Sequence, residues 1–119
     1  MDLTRLLQTV ERLVKAERAT FLKSIDHEMK AVLKNIPVKV VLGEAHGKLY
    51  GDFSGTPYGK QSAFAPFTFA SDITIYARGF MPFAQDEKTL REKVRLVLAH
   101  EYGHYLGFSE AELRERGIY

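Results

Sequence analysis

The sequence predicts one domain of mixed helix and strand, and three observations predict it. Apolar residues recur at helical spacing through the first third, short β-branched runs punctuated by glycine and proline fill the middle, and a strongly periodic stretch closes the chain. The length of 119 residues allows a single core, so any site must be built from the elements that make that core.

Leu3, Leu6, Leu7, Val10, Leu13 and Val14 form one apolar stripe, and Phe21, Leu22, Ile25, Met29, Val32 and Leu33 continue it as part of the same helix or as a second one. Pro37 stops the pattern, because proline cannot continue a helix and biases Ile36 toward extended backbone. Val38 to Leu42 then read as a strand and Lys48 to Phe53 as another, expected to pair with it. From Ser54 to Ser71 neither period is sustained, and Phe64, Pro66, Phe67 and Phe69 mark a long loop that packs its aromatics on the body. Ile73, Thr74, Ile75 and Tyr76 give a third strand.

Asp86 to Leu106 has the firmest helical pattern, with Asp86 or Thr89 available as its N-cap. Gly107 ends it where a left-handed residue is needed. Ser109 and Glu112 have capping-box spacing for a short last helix to about Gly117.

Composition narrows the chemistry before any motif is read. Seventeen basic and fifteen acidic residues are spread along the chain without a dense Lys/Arg block, which argues against a nucleic-acid partner. Charges among the first twenty residues argue against a signal peptide, and no apolar run is long enough for a membrane span, so the expected location is cytoplasmic. There is no cysteine, which leaves histidines and carboxylates as metal ligands.

His100-Glu101-Tyr102-Gly103-His104 carries the chemistry. Two histidines four residues apart on a helix lie about 40° apart in azimuth and roughly 6 Å apart along the axis, within reach of one cation. Glu101 leans off the same face, where a carboxylate can serve as a general base without ligating. A catalytic zinc needs a third protein ligand and an open position. Glu110, just past the Gly107 turn, is the first candidate, with Glu112 and Glu115 as substitutes if the turn is wider. His27 and His46 read as surface or loop residues.

The run VRLVLAHEYGHYLGFSEAELRERG, Val94 to Gly117, resembles the C-terminal segment of the small bacterial zincin-like metallopeptidases, and YGDFSGTP (Tyr50 to Pro57) and DITIY (Asp72 to Tyr76) resemble that family's loop and strand. In its extended motif a glycine lies three residues after the second histidine and the third ligand three residues later, positions held here by Gly107 and Glu110. The family commonly has Asp or His where this chain has Glu110.

The resemblance implies a minimal zincin-like α+β fold, with an N-terminal helix backing a small three- to four-stranded sheet, then the active-site helix. It also implies a Zn2+ cofactor, a peptide or protein substrate, and hydrolysis of peptide bonds by a zinc-activated water with Glu101 as base. The sheet's edge strand would pair with an extended peptide, a role assigned to Ile73, Thr74, Ile75 and Tyr76. Tyr58, Tyr102, Tyr105 and Tyr119 are all open as helpers of the oxyanion. The alternative is a catalytically silent zinc-binding scaffold of the same fold.

Overall fold

The structure is a computed structural model and describes residues 2–44, 49–58 and 71–118. The helical first third is two helices. α1 (Leu3–Ser24) starts at Asp2, whose carboxylate accepts from the Arg5 N–H at 2.8 Å, and it buries Leu6, Val10, Leu13, Val14 and Leu22 on one stripe. The backbone turns extended at Ile25, and Asp26 caps α2 (His27–Leu33) by accepting from Met29 N–H at 2.8 Å. The adjacent C-cap Ile25 and N-cap Asp26 are thus what divides the stripe.

Three strands follow: β1 (Val38–Val41), β2 (Gly51–Ser54) and β3 (Asp72–Tyr76). Their order corrects the expected pairing of the first two, because the sheet runs β1-β3-β2, with β1 parallel and β2 antiparallel to β3. The burial pattern gives the reason. No position of β3 is exposed, and Ile73 and Ile75 are fully buried, whereas β1 and β2 each alternate covered with exposed positions. The strand with two covered faces takes the centre. Lys48 and the stretch 59–70, including Phe64, Pro66, Phe67 and Phe69, lie outside the described residues. Near the ends of the long connection, the Ser71 hydroxyl donates to Thr56 O at 2.7 Å.

A 3-10 helix, Ala77–Phe83, follows β3 and drives Phe80 into the core. The sequence pattern does not foretell it. α3 (Glu87–Tyr105) is capped by Asp86, with the Thr89 hydroxyl donating to the same carboxylate, and α4 (Glu110–Glu115) is capped by Ser109. One core joins α1, the sheet, Phe80 and the inner face of α3 through Leu90, Val94, Val97, Leu98 and Tyr102. Among the described residues no helix is long and apolar enough to cross a membrane.

α1 also grips α3 by polar contacts. Glu17, only 3% exposed, accepts from Arg95 Nε at 2.9 Å and has Arg91 at 3.8 Å. The Arg18 guanidinium donates to the Tyr102 hydroxyl at 3.1 Å and to Lys34 O at 3.0 Å, and Phe21 stacks on the Tyr102 ring with centroids 5.2 Å apart. Arg95→Ala leaves the buried carboxylate with its weaker partner and is expected to cost about 2–3 kcal/mol in urea denaturation. Glu17→Met fills the same space and frees arginines that reach water, so its expected cost is under about 1 kcal/mol. Equal costs for the two variants would contradict this account of the pair.

Candidate metal centre

The end of α3 explains how one short segment gathers the candidate ligands. Gly107 sits at φ +96°, its N–H donates to His104 O at 3.0 Å, and Phe108 N–H donates to Gly103 O at 3.0 Å. These two bonds are the Schellman pattern, which needs a left-handed residue and is cheapest with glycine. The chain reverses, and Ser109 closes a capping box: its hydroxyl accepts from Glu112 N–H at 3.2 Å while Glu112 Oε1 accepts from Ser109 N–H at 3.1 Å.

That box settles which carboxylate comes to the histidines. Glu112 is held by the cap, which lowers its pKa through the hydrogen bonds to Ser109, and Glu115 is exposed at the far end of α4. Glu110, the first residue of α4, places Oε1 2.7 Å from His104 Nε2 and 3.2 Å from His100 Nε2. The two Nε2 atoms are 3.1 Å apart, on rings set nearly perpendicular at 83°.

The other ring nitrogens fix what those atoms are. His104 Nδ1 lies 3.1 Å from Phe108 O, and His100 Nδ1 lies 3.1 Å from Ile118 O. A carbonyl oxygen only accepts, so each Nδ1 must carry a proton, and in its neutral form each imidazole turns the lone pair of Nε2 toward the other and toward a carboxylate. Three electron-pair donors aimed at one point repel unless a proton or a metal ion lies between them. Zinc held at about 2.0–2.1 Å in tetrahedral coordination sets its ligands roughly 3.3 Å apart, close to the triangle found here. The residues fit the ion.

Glu101 is on the same side but is not part of the triangle. Its carboxylate and one nitrogen of each histidine lie within 4.8 Å of one another, a looser spacing than that of Glu110. It is 4% exposed, and burial pushes its pKa above the usual carboxylate value, against the pull of His100 and His104 and with further upward pressure from Asp52 and Glu110. For Glu110 desolvation is the largest single effect and raises the pKa, but the hydrogen bonds and charges of His104 and His100 together outweigh it, so its pKa is lowered.

The donors open on a cleft of about 560 Å³ whose opposite wall is Gly51, Asp52, Phe53 and Pro57. A second cavity of about 170 Å³ continues from His100 and Glu101 past Val97 to Lys93, under Leu49 and Tyr50. Gly51 is what lets β2 lie so close: a Cβ there would come within 3.1 Å of Val97 and 3.2 Å of Glu101.

Several expectations change. Ile73, Thr74, Ile75 and Tyr76 were expected to receive an extended peptide, but β3 is bonded to a strand on each side and two of these side chains are in the core, so it has no free edge to offer. Of the four tyrosines, Tyr102 points away from the cleft to Arg18 and Phe21. Tyr105 is buried against Phe53 and Tyr58, Tyr58 is half exposed, and Tyr119 lies outside the described residues. His27 is an exposed first residue of α2, and His46 also lies outside the described residues.

Gly103 is a site residue that the pattern reading overlooks, although it stands inside the motif. A Cβ on it would lie 2.4 Å from Leu113 Cδ2, so its absence admits the one fully buried side chain of α4. Gly103→Ala is expected to destabilise by about 1–2 kcal/mol through overpacking. With Leu113→Ala in the same chain the sign reverses, because alanine favours the helix over glycine by about 1 kcal/mol. Thermal denaturation of the four proteins of this cycle checks it, and additive effects would contradict the contact.

Fold and donor set together define an α+β protein whose HExxH helix lies against a small mixed sheet. The family model described as zincin-like metallopeptidase matches residues 27–118, and the chain belongs to that family. No curated protein matches it.

Proposed function

We propose that the protein is a zinc-dependent peptidase in which His100, His104 and Glu110 hold the metal and Glu101 is the general base. One observation carries the reading: two Nε2 lone pairs and a carboxylate oxygen converge within 3.2 Å of one another, with a buried carboxylate beside them that is not a member of the set. Two imidazoles and one carboxylate with an open position are a donor set of catalytic zinc sites. Family membership supports the same reaction class.

Zinc in such a set supplies Lewis acidity toward water and toward a carbonyl. Glu101, with its raised pKa, takes one proton from the attacking water. As the water oxygen bonds to the carbonyl carbon and the C–N bond breaks, Glu101 returns that proton to the leaving amine, so the base is regenerated.

Substrate docking is assigned to β2 rather than β3. Tyr76 N–H donates to Tyr50 O at 2.9 Å, so by antiparallel alternation Gly51 and Phe53 turn their N–H and C=O groups away from β3, along the cleft wall. An extended peptide pairing there would run past Glu101. In a Glu101→Gln protein saturated with an uncleaved peptide, the amides of Gly51 and Phe53 are expected to gain at least about tenfold protection from hydrogen exchange. Protection confined to other elements would contradict this assignment.

The test of the proposal itself is a peptide-library cleavage assay on protein shown by metal analysis to carry one zinc per chain. Cleavage that needs zinc supports the peptidase. Stoichiometric zinc with no cleavage of any peptide would overturn it in favour of a zinc-bearing scaffold.

A further inference from the structure

The two imidazoles are held in the same way by two turns of the same kind, one of which lies far away in sequence. α4 ends as α3 does. Gly117 sits at φ +72°, its N–H donates to Arg114 O at 3.0 Å, and Ile118 N–H donates to Leu113 O at 2.8 Å. This is a second Schellman turn, ten residues after the first. In each turn the residue after the glycine presents its carbonyl to a histidine Nδ1 at 3.1 Å: Phe108 O to His104, and Ile118 O to His100.

The first turn is local to the motif. The second is not, since Ile118 is eighteen residues from His100. Between the turns, α4 carries Glu110 at its start and seats Leu113 against Gly103. The segment therefore touches the centre at both ends and α3 in its middle. A second partner on a ligating imidazole fixes its tautomer and ring angle, and removing such a partner typically lowers metal affinity by about 10–100-fold.

We propose that Gly117 and Ile118 are positioning residues for the metal centre: the turn they form sets the His100 tautomer, so that α4 is a clasp closed over the site at both ends. The inference rests on the reading of His100 as a ligand, but its effect on the imidazole exists without any metal and can be measured separately. Side-chain packing does not explain the glycine, because among the described residues a Cβ at Gly117 meets nothing within 4 Å. Only its left-handed backbone is required.

The experiment compares Gly117→Val, which disfavours that backbone, with Gly117→Asn, which tolerates it, and adds Ile118→Pro, which deletes the N–H donated to Leu113 O. Two quantities are read: zinc affinity by competition with a chelator, and the tautomers of His100 and His104 from long-range 1H–15N spectra of zinc-free protein in mildly alkaline buffer. Gly117→Val and Ile118→Pro are expected to weaken zinc binding about 10–100-fold and to shift His100 from the Nδ1–H toward the Nε2–H form, leaving His104 unchanged. Gly117→Asn is expected to stay close to the parent on both counts. The proposal is overturned if His100 keeps its tautomer in Gly117→Val and Ile118→Pro, if His104 changes along with it, or if Gly117→Asn behaves as Gly117→Val does. Failure of the parent protein to bind zinc would instead refute the metal reading, and the tautomer spectra would still decide the role of the turn.

Discussion

Glu101→Gln is expected to keep one zinc per chain and to lose peptide hydrolysis by about 10²–10⁴-fold in kcat. The amide has nearly the size of the carboxylate it replaces, so the packing of residue 101 under Gly51 is preserved. The triangle of His100, His104 and Glu110 does not include residue 101, which is why metal content should not follow activity. What the variant lacks is the group proposed to accept a proton in the transition state and give it back. Metal analysis and single-turnover rates on the same preparation check both halves. A variant within tenfold of the parent rate would show that another base acts. Loss of zinc would make Glu101 a ligand and undo the division of roles.

The second large effect concerns stability. Zinc is expected to bind the folded chain, where three donors are already assembled, and to find no such set in the unfolded one. At a thousandfold excess over its dissociation constant it should add about 4 kcal/mol. For a chain of 119 residues that corresponds to a rise in Tm of roughly 15–20 °C. His104→Ala removes the donor that sits closest to Glu110, so it should abolish the rise. In zinc-free buffer the same variant should differ from the parent by only about 1 kcal/mol, the scale of the His104 hydrogen bonds it removes. Calorimetric scans with zinc and with chelator give all four values. A parent protein whose Tm is indifferent to zinc would contradict the assembled-site picture.

What was legible in the sequence and what was not divide along a physical line. Local periodicity and caps place α3, its Gly107 stop and the Ser109 box, because each is decided by residues within one or two turns of each other. The same locality brings Glu110 to the histidines, since one turn and one cap are all that lie between them. Strand order is a different matter. Val38 to Val41 and Gly51 to Ser54 are both good strands, and nothing local to either says that a third will insert between them. The error about Ile73 to Tyr76 follows from that one, because a central strand and an edge strand can carry the same β-branched pattern.

Long-range backbone partners are the least legible of all. The Ile118 carbonyl has no side-chain signature, and only the glycine at 117 hints that a left-handed turn will aim it. Gly103 carries a signal that was present but silent: a glycine in mid-helix is costly, and it marks the place where another element comes close.

The central claim is that His100, His104 and Glu110 hold one zinc ion through two imidazoles and a carboxylate. X-ray absorption at the zinc edge tests it most directly. The parent protein loaded with one equivalent should show nitrogen and oxygen neighbours at about 2.0–2.1 Å with the longer-range scattering pattern of two imidazoles, reduced to one in His100→Ala. Coordination without two imidazoles, or a spectrum that His100→Ala leaves unchanged, would contradict it.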